Sequence, residues 1–109
     1  MSTPPSKKAI DKAADDRIAL YDAILSLKTP AELDAFLSDL CTPAELRAFS
    51  ERWAVARLLD EGLKTYREIG VEAGASPTTV VRVARFLREM DHQGYRLVLD
   101  RLSKLNKKA

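Results

Sequence analysis

Residues 66–85, YREIGVEAGASPTTVVRVAR, place two glycines and five apolar side chains at a spacing that few folds can use. With Tyr66 as the first position, Ile69, Ala73, Ala75, Val80 and Val83 stand at positions four, eight, ten, fifteen and eighteen. On two short helices that cross at a sharp angle, those positions turn inward and weld the pair together. Gly70 holds the fifth position, where the helices lie closest and a small residue lets the backbones approach. Gly74 holds the ninth, which needs a positive φ that glycine adopts without steric cost. The pattern therefore predicts a helix-turn-helix over 66–90, with Ser76 and Pro77 as cap and first residue of its second helix.

The remaining apolar periodicity is helical throughout and shows no strand alternation. Residues 1–14 are rich in Ser, Pro, Thr and Lys and read as a flexible N-terminal arm. A first helix is expected from about Asp15 to Lys28, with Ile18, Tyr21, Ile24, Leu25 and Leu27 at its spacing. The segment Thr29-Pro30-Ala31-Glu32-Leu33 then recurs as Thr42-Pro43-Ala44-Glu45-Leu46. Each copy is a helix start: Thr caps the free amides, Pro occupies a position whose N–H is dispensable, and Glu three residues on reaches back. A second helix is expected over Pro30–Leu40 and a third over Pro43–Glu61, the latter facing inward through Leu46, Phe49, Trp53, Ala56 and Leu58 or Leu59 and ending at Gly62. After a break at Asp91–Gly94, a last helix carries Tyr95, Val98, Leu99, Leu102 and Leu105. The expectation is an all-α chain of about six helices, one domain over 15–105 followed by a basic tail over 106–109. The broad apolar surface of the last helix, Leu97 included, exceeds what so short a chain can cover and points to a homodimer.

Charge divides the chain. Residues 1–62 hold 8 Lys and Arg against 11 Asp and Glu, net −3, whereas residues 63–109 hold 10 against 5, net +5. The basic half contains the helix-turn-helix, although the tail residues Lys104, Lys107 and Lys108 contribute to the excess. Positive charge beside a phosphate backbone releases counterions, so the asymmetry points to double-stranded DNA. At 100° per residue, Pro77, Thr78, Val81, Arg82, Arg85 and Arg88 share the outer face of the second helix, while Val80, Val83, Ala84, Leu87 and Met90 share the inner one. Thr78 and Val81 suit a thymine methyl, Thr79 a phosphate, and the arginines phosphate or guanine, with Ser76 and Pro77 at the helix start also among the DNA-contact candidates. Arg67, near the start of the preceding helix, is a second base-contact candidate.

Catalysis has little to work with here. The one histidine, His92, lies in a polar turn, and the one cysteine, Cys41, lies at a helix end where a small apolar side chain is expected. No His, Cys, Asp and Glu set has metal-ligand spacing and no Gly-rich phosphate loop is present, so no enzyme activity, metal or cofactor is expected. No apolar run is long enough for a membrane span and no secretory h-region opens the chain, which fits a reducing cytoplasm. The competing reading is a helical module that uses the same hairpin to bind protein or RNA.

Taken together, the helix order, the Thr42-Pro43 start, the Arg52 region, the helix-turn-helix and the closing GYRLVLDRL resemble the tryptophan repressor superfamily, and more closely its YerC/YecD-like branch. The resemblance spans Ile18 to Leu102. It implies an intertwined helical homodimer that presents two reading heads to a palindromic operator and represses transcription. It also implies a ligand pocket at Thr42, Arg52 and Arg82, where the repressors hold the indole of their corepressor between two arginines. Two further pocket positions depart, with Val83 in place of a glycine and Phe86 in place of a serine. The pocket therefore reads as vestigial, no response to L-tryptophan and no small-molecule corepressor are expected, Arg52 is expected to pair with an acidic neighbour, and Thr42 serves as a cap.

Overall fold

The computed structural model describes residues 3–108, which form six helices and no strand. Contacts divide the chain into two compact units, residues 1–42 and 43–109. None of the described helices is long and apolar enough to cross a membrane.

The first unit contains α1 (Lys7–Leu25) and α2 (Pro30–Leu40). Helix α1 starts eight residues before the expected Asp15, because Ser6 caps it by accepting from the Ala9 amide at 3.2 Å. The arm expected over 1–14 is thus helical from Lys7, and its first two residues lie outside the described ones. The helix also ends earlier than Lys28: the Ser26 hydroxyl donates to the Ala23 carbonyl at 2.6 Å and satisfies one of the free carbonyls of the last turn. Helix α2 has the predicted bounds. Thr29 accepts from the Glu32 amide at 3.1 Å, and the Glu32 carboxylate reaches past Thr29 to accept from the Lys28 amide at 2.9 Å. Neither helix buries a residue among the described ones; Ile18 and Leu25 are 56% and 81% exposed, while Ile24 and Leu27 line a shallow groove with Leu33 of α2.

The second unit contains α3 (Pro43–Glu61), α4 (Tyr66–Ala73), α5 (Pro77–Arg88) and α6 (Gly94–Lys108). Helix α3 is the spine, touching α4, α5 and α6, while α5 touches both α4 and α6. The core is built from Val55, Ala56 and Leu59 of α3, Ile69 of α4, Val80, Val83, Ala84 and Leu87 of α5, and Leu99 of α6. Burying nine apolar side chains in a unit of this size is modest, and each large one contributes about 1.5–3 kcal/mol. Phe49, expected inward, is 47% exposed because the inward face of α3 is carried by Val55, Ala56 and Leu59 nearer its C-terminal end. Gly62, at φ 71°, turns the chain out of α3.

Besides the buried Leu99, two contacts with α3 tie helix α6 on. Trp53 of α3 stacks on Tyr95 with ring centroids 6.3 Å apart. The Arg96 guanidinium bonds Asp60 of α3 at 2.8 Å and Asp100 of its own helix at 3.0 Å, contacts that raise its pKa above the usual arginine value. The break before α6 differs from expectation in one detail: Gly94 already belongs to the helix, and the positive φ of 52° falls on Gln93, whose side-chain amide donates to the Met90 carbonyl at 2.6 Å.

Candidate nucleic-acid interface

The α4–α5 hairpin is assembled by local chemistry at each end. Thr65 caps α4: its hydroxyl accepts from the Glu68 amide at 3.2 Å while the Glu68 carboxylate accepts from the Thr65 amide at 3.0 Å. This reciprocal box holds the Glu68 carboxyl below the usual carboxylate range, chiefly through the bond from the Thr65 backbone. The sequence carries the signal for this box in its Thr-x-x-Glu spacing, which the hairpin pattern starting at Tyr66 does not include. At the other end Gly74 adopts φ 67° and ψ 28°, the left-handed conformation its position requires. The Ala75 amide then donates to the Gly70 carbonyl at 2.9 Å and closes the turn. A Cβ added at Gly70 would stand 3.0 Å from the Ala75 carbonyl oxygen and 3.6 Å from Val80, so the close approach is between α4 and the turn backbone. Ile69, Val80 and Val83 are buried and Ala73 and Ala75 pack against them, so all five welding positions act as the spacing predicts.

Helix α5 then divides cleanly into two faces. Val80, Val83, Ala84 and Leu87 are buried, whereas Pro77, Thr78, Val81, Arg82, Arg85 and Arg88 are exposed along the opposite side. Ser76 is the cap, accepting from the Thr79 amide at 3.1 Å, and its hydroxyl also lies 3.0 Å from that of Thr79. These two hydroxyls are therefore engaged with each other, and Thr79 is half-buried.

The four arginines differ in their surroundings. Arg88 donates to the Tyr66 hydroxyl at 3.0 Å, a contact between α5 and the first residue of α4 that sequence spacing did not reveal. Arg85 lies 3.8 Å from the Glu89 carboxylate, and both side chains are about two-thirds exposed, so this pair is weak and easily exchanged for another anion. Arg82 is folded over the ring of Phe86, 4.3 Å from its centroid. Arg67 lines an outward cleft of about 550 Å³ together with Gly70, Val71, Ala75, Pro77 and Val81. Lys64, just before α4, is bound to Glu72 at 2.6 Å, and that bond raises its pKa.

Of the residues named for a ligand pocket, Arg52 and Arg82 line one groove of about 510 Å³ with Trp53, Phe86, His92 and Tyr95, whereas Thr42 belongs to the first unit. Among the described residues Arg52 shows no ion pair with a carboxylate of the kind expected; its guanidinium lies 5.7 Å from the centroid of the exposed Phe49 ring. Val83 is fully buried, and the half-buried Phe86 is held between Arg82 and His92, the latter ring 5.8 Å away.

The pattern of the Trp repressor protein family matches residues 17–103. The uncharacterized protein YerC of Bacillus subtilis (strain 168) is 43% identical over 83 residues, which cover 76% of this chain and 78% of that protein. Among solved structures, a TrpR-like protein from Eubacterium eligens ATCC 27750 is 41% identical, with a TM-score of 0.73 over 78% of this chain and 86% of its own. A Staphylococcus aureus chain is also 41% identical, with a TM-score of 0.74 over 84% of this chain and 87% of its own.

Proposed function

The chain belongs to the Trp repressor family, and from that premise we propose that it is a transcriptional regulator that reads the major groove of double-stranded DNA through α5 and represses from a twofold site as a homodimer. The observation that carries this reading is the division of α5. Its inner side is consumed by the core, its outer side is free, and three arginines with Thr78 and Val81 line that free side. A braced helix with its first amides and small side chains leading is the shape that enters a groove, with arginines flanking for phosphate. Arg67 reaches the same side from α4.

Dimerisation follows from what the single chain leaves uncovered. Leu97, Val98, Leu102 and Leu105 of α6 are each more than two-fifths exposed, as are Ile10, Ile18, Tyr21 and Leu25 of α1. Two helices with unpartnered apolar faces suit a second copy. We further infer that L-tryptophan is not a corepressor, since Phe86 and the buried Val83 occupy the positions that would have to be open.

The exposed Val71 and Val81 suit a protein partner too, which keeps a helical interaction module as the second reading. Salt separates the two. Selection from randomised duplexes, followed by affinity measurements across ionic strength, should return a twofold site with half-sites about one helical turn apart and an affinity that falls steeply with salt. A salt-insensitive association with protein and no retained duplex would favour the second reading.

A further inference from the structure

The outward cleft between α4 and α5 has a composition that phosphate contacts do not explain. It is rimmed by the Arg67 guanidinium and by Tyr66, whose hydroxyl is taken up by Arg88, and its remaining walls are Gly70, Val71, Ala75, Pro77 and Val81. Val71 is 79% and Val81 57% exposed, and Val81 shares the outer face of α5 with Arg82, Arg85 and Arg88. Burying a phosphate oxygen against such walls strands its charge, whereas a small apolar group gains by entering. The major groove of DNA presents one such group, the 5-methyl of thymine. The basic half of the chain, net +5 over residues 63–109 with its tail lysines included, draws in the polyanion that carries it.

We propose that this cleft is a thymine-methyl reader, with Val71 of α4 and Val81 of α5 as its two specificity-determining side chains and Arg67 holding the flanking backbone or base. The inference rests on the duplex-reading function and adds the base it prefers. Val71 adds an apolar base contact from α4 to the polar one expected of Arg67. Gly70 contributes by leaving the floor of the cleft open, since any larger residue would project toward the Ala75 carbonyl.

The test starts from the duplex that the full chain selects. Each thymine is replaced in turn by uracil, which removes the methyl and leaves every hydrogen-bonding group. At one or two thymines per half-site the affinity should fall about fourfold per methyl lost. Val71→Ala and Val81→Ala should bind the parent duplex more weakly and should no longer distinguish thymine from uracil at those positions; both sites are exposed, so the fold should survive, as circular dichroism would register. Salt-dependent binding in which no uracil substitution matters would overturn the proposal while leaving the DNA-reading function intact. Methyl discrimination that persists in both valine variants would overturn the assignment of the cleft. Retention of no duplex at all would overturn this proposal together with the function it rests on.

Discussion

At the scale of single residues, two glycines and four arginines divide the labour. Gly74 is irreplaceable for its backbone and Gly70 for its lack of a side chain, and the two should fail differently. Gly74→Ala places a Cβ in the left-handed region with open space around it, so the cost is conformational, about 1–2 kcal/mol in urea denaturation. Gly70→Ala instead pushes the Ala75 carbonyl, 3.0 Å away, and should disturb the geometry of the turn, seen as weaker duplex binding beyond what lost stability explains. Among the cations, Arg85 and Arg88 are the phosphate candidates. Replacing either by Ala should weaken binding to all sequences alike and reduce the steepness of the salt dependence by about one unit. Tyr66→Phe, which removes only the hydroxyl that Arg88 grips, should reproduce part of the Arg88→Ala effect and add little to it in the double variant. The glycine roles were legible from spacing alone. The Tyr66–Arg88 bond was not, because it joins residues twenty-two apart whose meeting depends on the crossing angle of two helices.

At the scale of elements, the caps decide where helices begin and how firmly. Helix α4 has only eight residues and depends on its Thr65–Glu68 box. Thr65→Ala should cost about 1 kcal/mol, measured as a shift of the thermal or urea midpoint. The box also makes a pH prediction. Because Glu68 is held below its ordinary carboxylate range in the folded chain, the unfolded chain takes up its proton first on acidification. The stability due to this group is present above the ordinary carboxylate pKa and is lost as pH falls from about 5 toward the lowered folded value. Glu68→Gln, which keeps a side-chain acceptor without the charge, should flatten that part of the pH–stability curve; an unchanged slope would contradict the box. The bounds of α2 and α3 were readable because Thr-Pro at each start prints cap and first residue together. The start of α1 was not, because residues 7–14, KKAIDKAA, carry Ile10 as their single large apolar side chain, and helical residues that bury nothing leave no periodic signal.

At the scale of the whole molecule, the chain combines a small core with a large uncovered apolar surface and an uneven charge. The core of residues 43–109 was largely predictable, since the inner faces of α4 and α5 follow from the hairpin spacing. The excess apolar surface of α6, Leu97 included, was legible too; what escaped was that Phe49 of α3 lies uncovered. Phe49, Leu97 and Val98 have the character of core residues, and only the arrangement of neighbours leaves them at the surface. If a second copy covers α1 and α6, light scattering at micromolar concentration should give twice the 12.1 kDa chain mass, and Leu97→Asp or Leu102→Asp should shift the mass toward the monomer. DNA reading by this chain requires the outer face of α5 to enter a duplex. Its most direct measurement is the affinity for the selected duplex against salt concentration, for the parent chain and for the Arg85→Ala, Arg88→Ala and Arg67→Ala variants. Steep salt dependence in the parent, a uniform loss with the first two, and loss of discrimination at one base pair with the third are predicted. Affinity that is flat with salt and indifferent to all three substitutions would contradict it.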